Sequence, residues 1–552
     1  MKLTLEKLKA ACGMAACGLL MTISPAHAQN GQNGSGQNQN ADWTMGGRDL
    51  NNSRNQATTK ISAANVSKLT QKWVFQAGGN IQATPAVANG IIYFPDLAGN
   101  FYALNATTGV PVWQNKVANW TGIPGDYARH DPAVVANMVI LGNQAGAVAQ
   151  WNGNWLSSPG ASVMAVNANT GALIWSTQVE SFPAAMVTSS PVVYNKVVYV
   201  GIASSEENTA ANPAYPCCSS RGSVVALDLA TGKILWQTYM VPDNHGSNNL
   251  YSGGSIWGST PVVDPKRNSL YVGVGNNFSV PITDEACAGQ KPPVNCYDPH
   301  DYFDSLVSLD LTTGAVKWAT HAMPYDAWNV ACITPGEPQV NNCPSPTGPD
   351  YDFGGSGPNM FTAGGQDLVG VGQKSGIYWA FNPNNGNVVW NTQVGPGSSL
   401  GGIEWGTATD GTRIYVPISN AFGIPYSQPG NGGSWAALDP TTGNILWQVA
   451  TPGSCFSFLG QPATCMALGG VSVAGGVVFG ATMDPGPTNS TMFALDASSG
   501  KILWHFAAGS PVVAAPAIVG DSVYWGSGPT AILAGPGIGL PSNNKLYKFS
   551  IN

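Results

Sequence analysis

One eleven-residue phrase recurs seven times along this 552-residue chain: ALNATTGVPVW (103–113), AVNANTGALIW (165–175), ALDLATGKILW (226–236), SLDLTTGAVKW (308–318), AFNPNNGNVVW (380–390), ALDPTTGNILW (437–447) and ALDASSGKILW (494–504). Each begins as an apolar strand end and passes through Asp or Asn, whose side chain caps a turn. The turn closes on Gly, which accepts a positive φ, and a second strand ends in Trp. Successive Trp residues lie 57 to 82 positions apart, more than a bare four-stranded unit needs, so the surplus predicts inserted loops. Units of this size cannot bury their own faces, and stacking them around an axis gives an all-β propeller with the indole rings wedged between neighbours. KLYKFSI (545–551) reads as the strand that leads into a phrase and LTQKW (69–73) as the strand that leaves one. Joining them predicts an eighth blade built from both termini and a ring without an open edge. No segment shows sustained helical periodicity, which excludes an α/β reading.

Residues 1–28 read as an export signal: Lys2, Lys7 and Lys9, an apolar stretch over 10–23, and the small-x-small site Ala26-His27-Ala28. The Gln/Asn/Gly-rich tract that follows is expected to be a disordered tether over 29–41, with the propeller occupying 42–552. No later segment is long and apolar enough to span a bilayer. Charged residues make up only 9% of the chain and its formal net charge is −7, which offers no basic stripe for nucleic acid. Eight cysteines follow the signal, in four local pairs: Cys217/Cys218, Cys287/Cys296, Cys332/Cys343 and Cys455/Cys465. An even count at short spacing in an exported chain predicts disulfides in the periplasm. No C-x-x-C-H string occurs, so no covalent haem attachment is encoded in this sequence.

The phrase closely resembles the tryptophan-docking repeat of the pyrroloquinoline quinone (PQQ) dehydrogenases, from Trp43 to Ile551. Non-catalytic propellers of outer-membrane assembly share that repeat, so the cofactor loops have to discriminate. The resemblance implies calcium ligation by Glu206 in GIASSE (201–206) and by Asn276 in YVGVGN (271–276). It places Thr188 on the cofactor, Trp257 in GSIWG (254–258) as the floor beneath the quinone, and Lys374 in GQKSG (372–376) near its oxygens. Arg129 is expected at a cofactor carboxylate. These types suit a flat tricarboxylate: an aromatic platform, cations, and oxygen ligands for a hard dication.

The family's acidic base follows the fourth phrase, where this sequence reads MPYDAWN (323–329). Asn329 stands in the family's Asp position and cannot take a proton, so Asp326 is expected to be the general base and Asn329 a calcium or cofactor contact. Asp350 and Asp352, in GPDYDFG (348–354), are the alternatives for the base. The adjacent Cys217-Cys218 pair is expected to roof the cofactor or flank its entrance, or else each cysteine pairs elsewhere. The combination is most similar to the polyvinyl alcohol dehydrogenase branch. It implies oxidation of secondary hydroxyls, polymeric ones included, with PQQ and Ca²⁺ as cofactors and a separate cytochrome c as electron acceptor. The other reading is a scaffold propeller that binds protein.

Overall fold

The computed structural model describes residues 41–552 except 152, 154–156, 259, 289–296, 334–341, 459 and 531–539. The stretches expected to be a signal and a tether lie outside these residues, apart from position 41. The described chain forms eight blades, each built on four antiparallel strands. In one of them Ala86–Ala88, Ile91–Pro95, Asn100–Asn105 and Pro111–Lys116 run from the inside outward. Every repeat phrase forms the third strand, the turn and the fourth strand of a blade. Its Asp or Asn caps the turn as expected: Asn105 Oδ1 accepts the N–H groups of Thr107 and Thr108 at 2.9 and 3.0 Å. Its Trp donates across to the following blade, Trp175 Nε1 to the Leu229 carbonyl at 2.9 Å and Trp447 Nε1 to that of Ala497 at 3.0 Å. The eighth sheet combines Thr70–Gln76 with Ala517–Val519, Ser522–Gly526 and Lys545–Ser550, and places Thr70 opposite Ser550 and Gln76 opposite Lys545. Trp504 Nε1 reaches the Leu69 carbonyl at 3.0 Å, docking the seventh phrase onto this mixed blade. The helices among the described residues have three to seven residues each, and none is long and apolar enough to cross a membrane.

The segment ahead of the first blade has no counterpart in the repeat. Its backbone carbonyls accept N–H bonds from one innermost strand after another: Trp43 from Val87 at 2.7 Å, Thr44 from Val134 at 2.7 Å, and Leu50 from Val263, Asn51 from Met360, Ser53 from Thr409 and Arg54 from Val473 at 2.9 Å each. Residues 43–54 therefore lace six blades together on the side of the turns that join first to second strands. The long loops emerge from the opposite ends of those strands. They are of two kinds, joining second to third strands within a blade or the fourth strand to the next blade. Cys332–Cys343 and Cys455–Cys465 are disulfides, as is the adjacent pair Cys217–Cys218. Cys287 is also disulfide-bonded, while Cys296 lies outside the described residues.

Candidate active site

Lys374 stands at the centre of a buried constellation. It sits in the loop between Gln366–Gly372 and Ile377–Phe381, and its Nζ lies 2.9 Å from Asp350 Oδ1 and 3.6 Å from Asp352 Oδ2. Trp257 Nε1 donates to the same Asp352 Oδ2 at 2.9 Å, and Lys374 Nζ is 5.1 Å from the Trp257 ring centroid. The indole is held by a chain that approaches it closely: a Cβ on Gly354 or Gly355 would fall 2.5 or 2.7 Å from ring atoms of Trp257. Trp405 meets Trp257 edge-on at 5.1 Å, and the Arg129 guanidinium lies 5.5 Å from the Trp405 centroid. The site thus has an aromatic floor, a lysine above it and an arginine at its rim. Arg129, Thr188, Trp257, Asp350, Asp352 and Trp405 come from blade-to-blade loops, and Asn276 and Lys374 from loops within blades. All of these loops leave the sheets at the end away from the lacing segment.

Acidic groups crowd this centre. Burial raises Glu207 to about 7, with Lys374 and Arg129 opposing and Asp352 and Asp326 reinforcing. Burial likewise raises Glu404 to about 8 against Lys374, and pushes Asp350 well above the carboxylate range against the same lysine. For Lys374, burial alone would disfavour the ammonium, but Asp350, Asp352, Glu207 and Glu404 outweigh it and raise its pKa well above the usual value. Asp326 is raised to about 6, first by burial, while N–H donors from Tyr351 and Asp350 pull it back. Asp304 is raised well above its ordinary value by burial and then by the facing Asp326 carboxyl. Six carboxyl groups thus face two cations, an excess of acid that a bound cation would relieve.

The expected site residues divide by what their polar atoms already touch. Glu206 is fully occupied: Oε1 accepts Tyr215 O–H at 3.0 Å and Ser219 N–H at 2.9 Å, and Oε2 accepts Ser220 N–H at 2.7 Å. Asn329 is likewise engaged, donating to the Phe278 and Asn342 carbonyls at 3.1 and 2.7 Å and accepting Ala331 N–H at 3.0 Å. Cys218 packs against Ala210 and Phe278, in the loop whose N–H groups grip Glu206. Asp326 accepts two backbone N–H bonds from the segment that carries Asp350. Asn276, in contrast, commits only its amide nitrogen, to the Asn277 and Trp328 carbonyls at 3.0 and 2.8 Å, leaving Oδ1 as a bare amide oxygen. Asp350 Oδ2 and Asp352 Oδ1 are buried without a partner, as are Arg129 Nε and Thr188 Oγ1. Arg129 and Thr188 line one cavity of about 40 Å³ together with Trp405 and Gly258. Buried polar atoms without partners are rare in proteins; here the donors line that cavity, and Trp405 joins it edge-on to Trp257, which bonds Asp352 beside Lys374 and the unpartnered acceptors. The donors suit a polycarboxylated ring, and the free carboxylate and amide oxygens suit a hard dication.

Glu207, Asp304, Glu404 and Trp405 were not singled out from the sequence. Glu207 carries a signal only as the neighbour of Glu206. Glu404 and Trp405 lie on a loop of a distant blade that carries no motif.

Fold and site together define an eight-bladed propeller that gathers two indoles, two cations and six carboxyl groups among its loops. Comparison with known proteins gives its family. The profile described as "Glucose/ethanol/alcohol dehydrogenase, beta-propeller domain" matches residues 43–345, and one for "Outer membrane protein assembly factor BamB" matches residues 431–550. Polyvinylalcohol dehydrogenase of Sphingopyxis sp. (strain 113P3) is 32% identical over 88% of this chain and 72% of its own length. Its counterpart from Pseudomonas sp. is 32% identical over 84% and 67%. Among solved structures, the quinohemoprotein alcohol dehydrogenase ADHIIG of Pseudomonas putida HK5 superposes with a TM-score of 0.69 at 18% identity, over 93% of this chain and 80% of its own. The chain belongs to the PQQ-dependent dehydrogenase family, and its relatives include polyvinyl alcohol dehydrogenases.

Proposed function

We propose that this protein is an exported, periplasmic PQQ- and calcium-dependent dehydrogenase. It oxidises the secondary hydroxyls of bulky or polymeric alcohols to ketones and passes the electrons to a separate cytochrome c. The observation that carries this reading is the Lys374–Asp350–Asp352–Trp257 constellation with its unpartnered oxygens. The relatives named polyvinylalcohol dehydrogenase support the substrate class.

In this reading Trp257 is the platform for the ring, and Arg129 and Thr188 donate to its carboxylates. Glu207, Asn276 and Asp352 hold calcium; Glu207 takes the role expected of Glu206, whose oxygens the 215–220 loop already fills. When bound, PQQ supplies the hydride acceptor and calcium polarises its carbonyl. Asp350 is the general base. One of its oxygens pairs with Lys374 and the other is free to take the hydroxyl proton of the alcohol. Lys374 then lies where its charge stabilises a developing oxyanion. Both oxygens of Asp326 are occupied by backbone N–H groups, so the site favours Asp350 as the proton acceptor.

The test is reconstitution of purified protein with PQQ and Ca²⁺, followed by quenching of tryptophan fluorescence and by dye reduction with a secondary alcohol. Wild type is expected to bind and turn over. Asp350→Asn is expected to bind PQQ and lose turnover by about 10²- to 10⁴-fold. Absence of PQQ binding would leave the scaffold reading, for which the match of residues 431–550 to the outer-membrane assembly profile speaks.

A further inference from the structure

Asp350 has a backbone that its residue type rarely adopts: φ is +61°, in the left-handed region. Non-glycine residues persist there only when the surroundings over-determine them, and such positions cluster at functional sites. What determines this one is visible. Asp326 Oδ1 accepts the Asp350 N–H at 3.0 Å, and Asp326 Oδ2 accepts the Tyr351 N–H at 2.6 Å. The anchor is itself fixed from behind. The Asp326 carbonyl accepts Asn277 N–H at 3.0 Å, and Trp328 N–H returns to the Asn277 carbonyl at 2.8 Å. Gly348 N–H bonds the Ala327 carbonyl at 2.7 Å. A Cβ on Gly348 would lie 2.7 Å from Asp326 Cα and collide with its Oδ1, so only glycine lets the two segments meet.

We propose that Asp326 is the positioning residue of this site: its carboxylate grips the N–H groups of Asp350 and Tyr351 and holds Asp350 in the left-handed conformation that presents its carboxylate to Lys374. The inference rests on the reading of Asp350 as the base. A carboxylate suits the task because it offers an acceptor oxygen to each N–H, and hydrogen bonds to a charged acceptor are the strong kind. An amide in its place keeps one acceptor and turns an NH₂ group towards the other N–H. The same geometry explains why an acidic residue occurs at position 326 although Asn replaces the family's Asp at 329. The acid in the 323–329 stretch supports a base that the chain supplies 24 residues later.

The first experiment needs no cofactor. Hydrogen exchange is followed by mass spectrometry on a peptide spanning residues 346–353, in wild type and Asp326→Asn, with the thermal midpoint recorded. The expected result is a loss of protection at the 350 and 351 amides of about tenfold or more, one lost anchor bond being worth at least that factor. Unchanged protection overturns the proposal. Gly348→Ala is the second variant, because it displaces the Asp326 carboxylate without altering any charge, and the same loss is expected.

The second experiment uses the PQQ- and calcium-loaded enzyme. Asp326→Asn is expected to lower kcat by about 10- to 100-fold, the scale of a small misplacement of a reacting group, with KM within about twofold. Added to Asp350→Asn it is expected to cost nothing further, since a residue that acts only through Asp350 has nothing left to position. A full additional loss in that background, or Asp326→Asn being more damaging than Asp350→Asn, overturns the proposal and makes Asp326 the base. Should wild type fail to turn over with PQQ, the functional reading falls, while the exchange experiment still decides the anchor.

Discussion

Replacing Gly500 by Ala tests whether the docking of each tryptophan depends on the glycine of the next blade. Gly500 has φ +73°, and a Cβ there would sit 2.6 Å from Cε3 and 3.0 Å from Cδ2 of Trp447. Gly476, in the same blade, has φ +78° but nothing within 4 Å of its missing Cβ. Alanine at Gly476 therefore reports the left-handed strain alone, about 1–2 kcal/mol. Alanine at Gly500 adds overpacking against a closely held ring, about 1–3 kcal/mol more. For a propeller of this length unfolding as a unit, the unfolding entropy is about 1 kcal/mol per degree. Gly476→Ala is then expected to lower the thermal midpoint by about 1–2 °C and Gly500→Ala by about 2–5 °C. Differential scanning calorimetry on both variants in parallel measures the difference. Equal shifts would refute the claim that the glycine is required because the neighbouring indole fills its Cβ position.

Two further outcomes follow from buried charge. Lys374→Met leaves Asp350 and Asp352 without their cation and is expected to cost about 3–5 kcal/mol, the scale for removing one partner of a buried pair, together with PQQ-dependent dye reduction. An unchanged melting temperature would mean that these carboxyls are already neutral in the native protein. His130 is buried, and its Nε2 accepts the Gly142 N–H at 2.7 Å, so burial holds its pKa down to about 4. Between pH 6.5 and 4 the unfolded chain binds a proton that the native one does not, so stability falls as pH drops through that window, by about 3 kcal/mol in all. His130→Gln is expected to remove that share of the slope in denaturation series at pH 4 to 7. An unchanged slope would place the titrating proton elsewhere.

Much of the site was legible in the chain because it lies at a fixed offset from a strand. Trp257, Asn276 and Lys374 each sit at the mouth of a blade strand that the repeat locates, and the structure places all three at the same end of the propeller. The choice between Glu206 and Glu207 was not legible. They share a single helical turn, Glu206–Thr209, in which consecutive side chains point about 100° apart. Only the folded loop shows that Tyr215, Ser219 and Ser220 engage Glu206. The sequence ranks Asp326 above Asp350 as the base, because the 24 residues between them conceal that one carboxylate holds the other's backbone.

The phrase that recurs seven times was enough by itself to determine an all-β propeller, and residues 69–73 and 545–551 marked the strands from the two termini that pair. Its turn, glycine and tryptophan are local chemistry repeated at a fixed phase, and such information survives in a linear string. What only the tertiary structure decided is where polar atoms find partners. The lacing of residues 43–54 across six blades, the capture of Glu206 by its neighbours, and the gathering of Asp350 and Asp352 around Lys374 depend on contacts between loops far apart in sequence. Hydrogen-bond satisfaction there is a property of the closed assembly of loops, and no single stretch of sequence contains it.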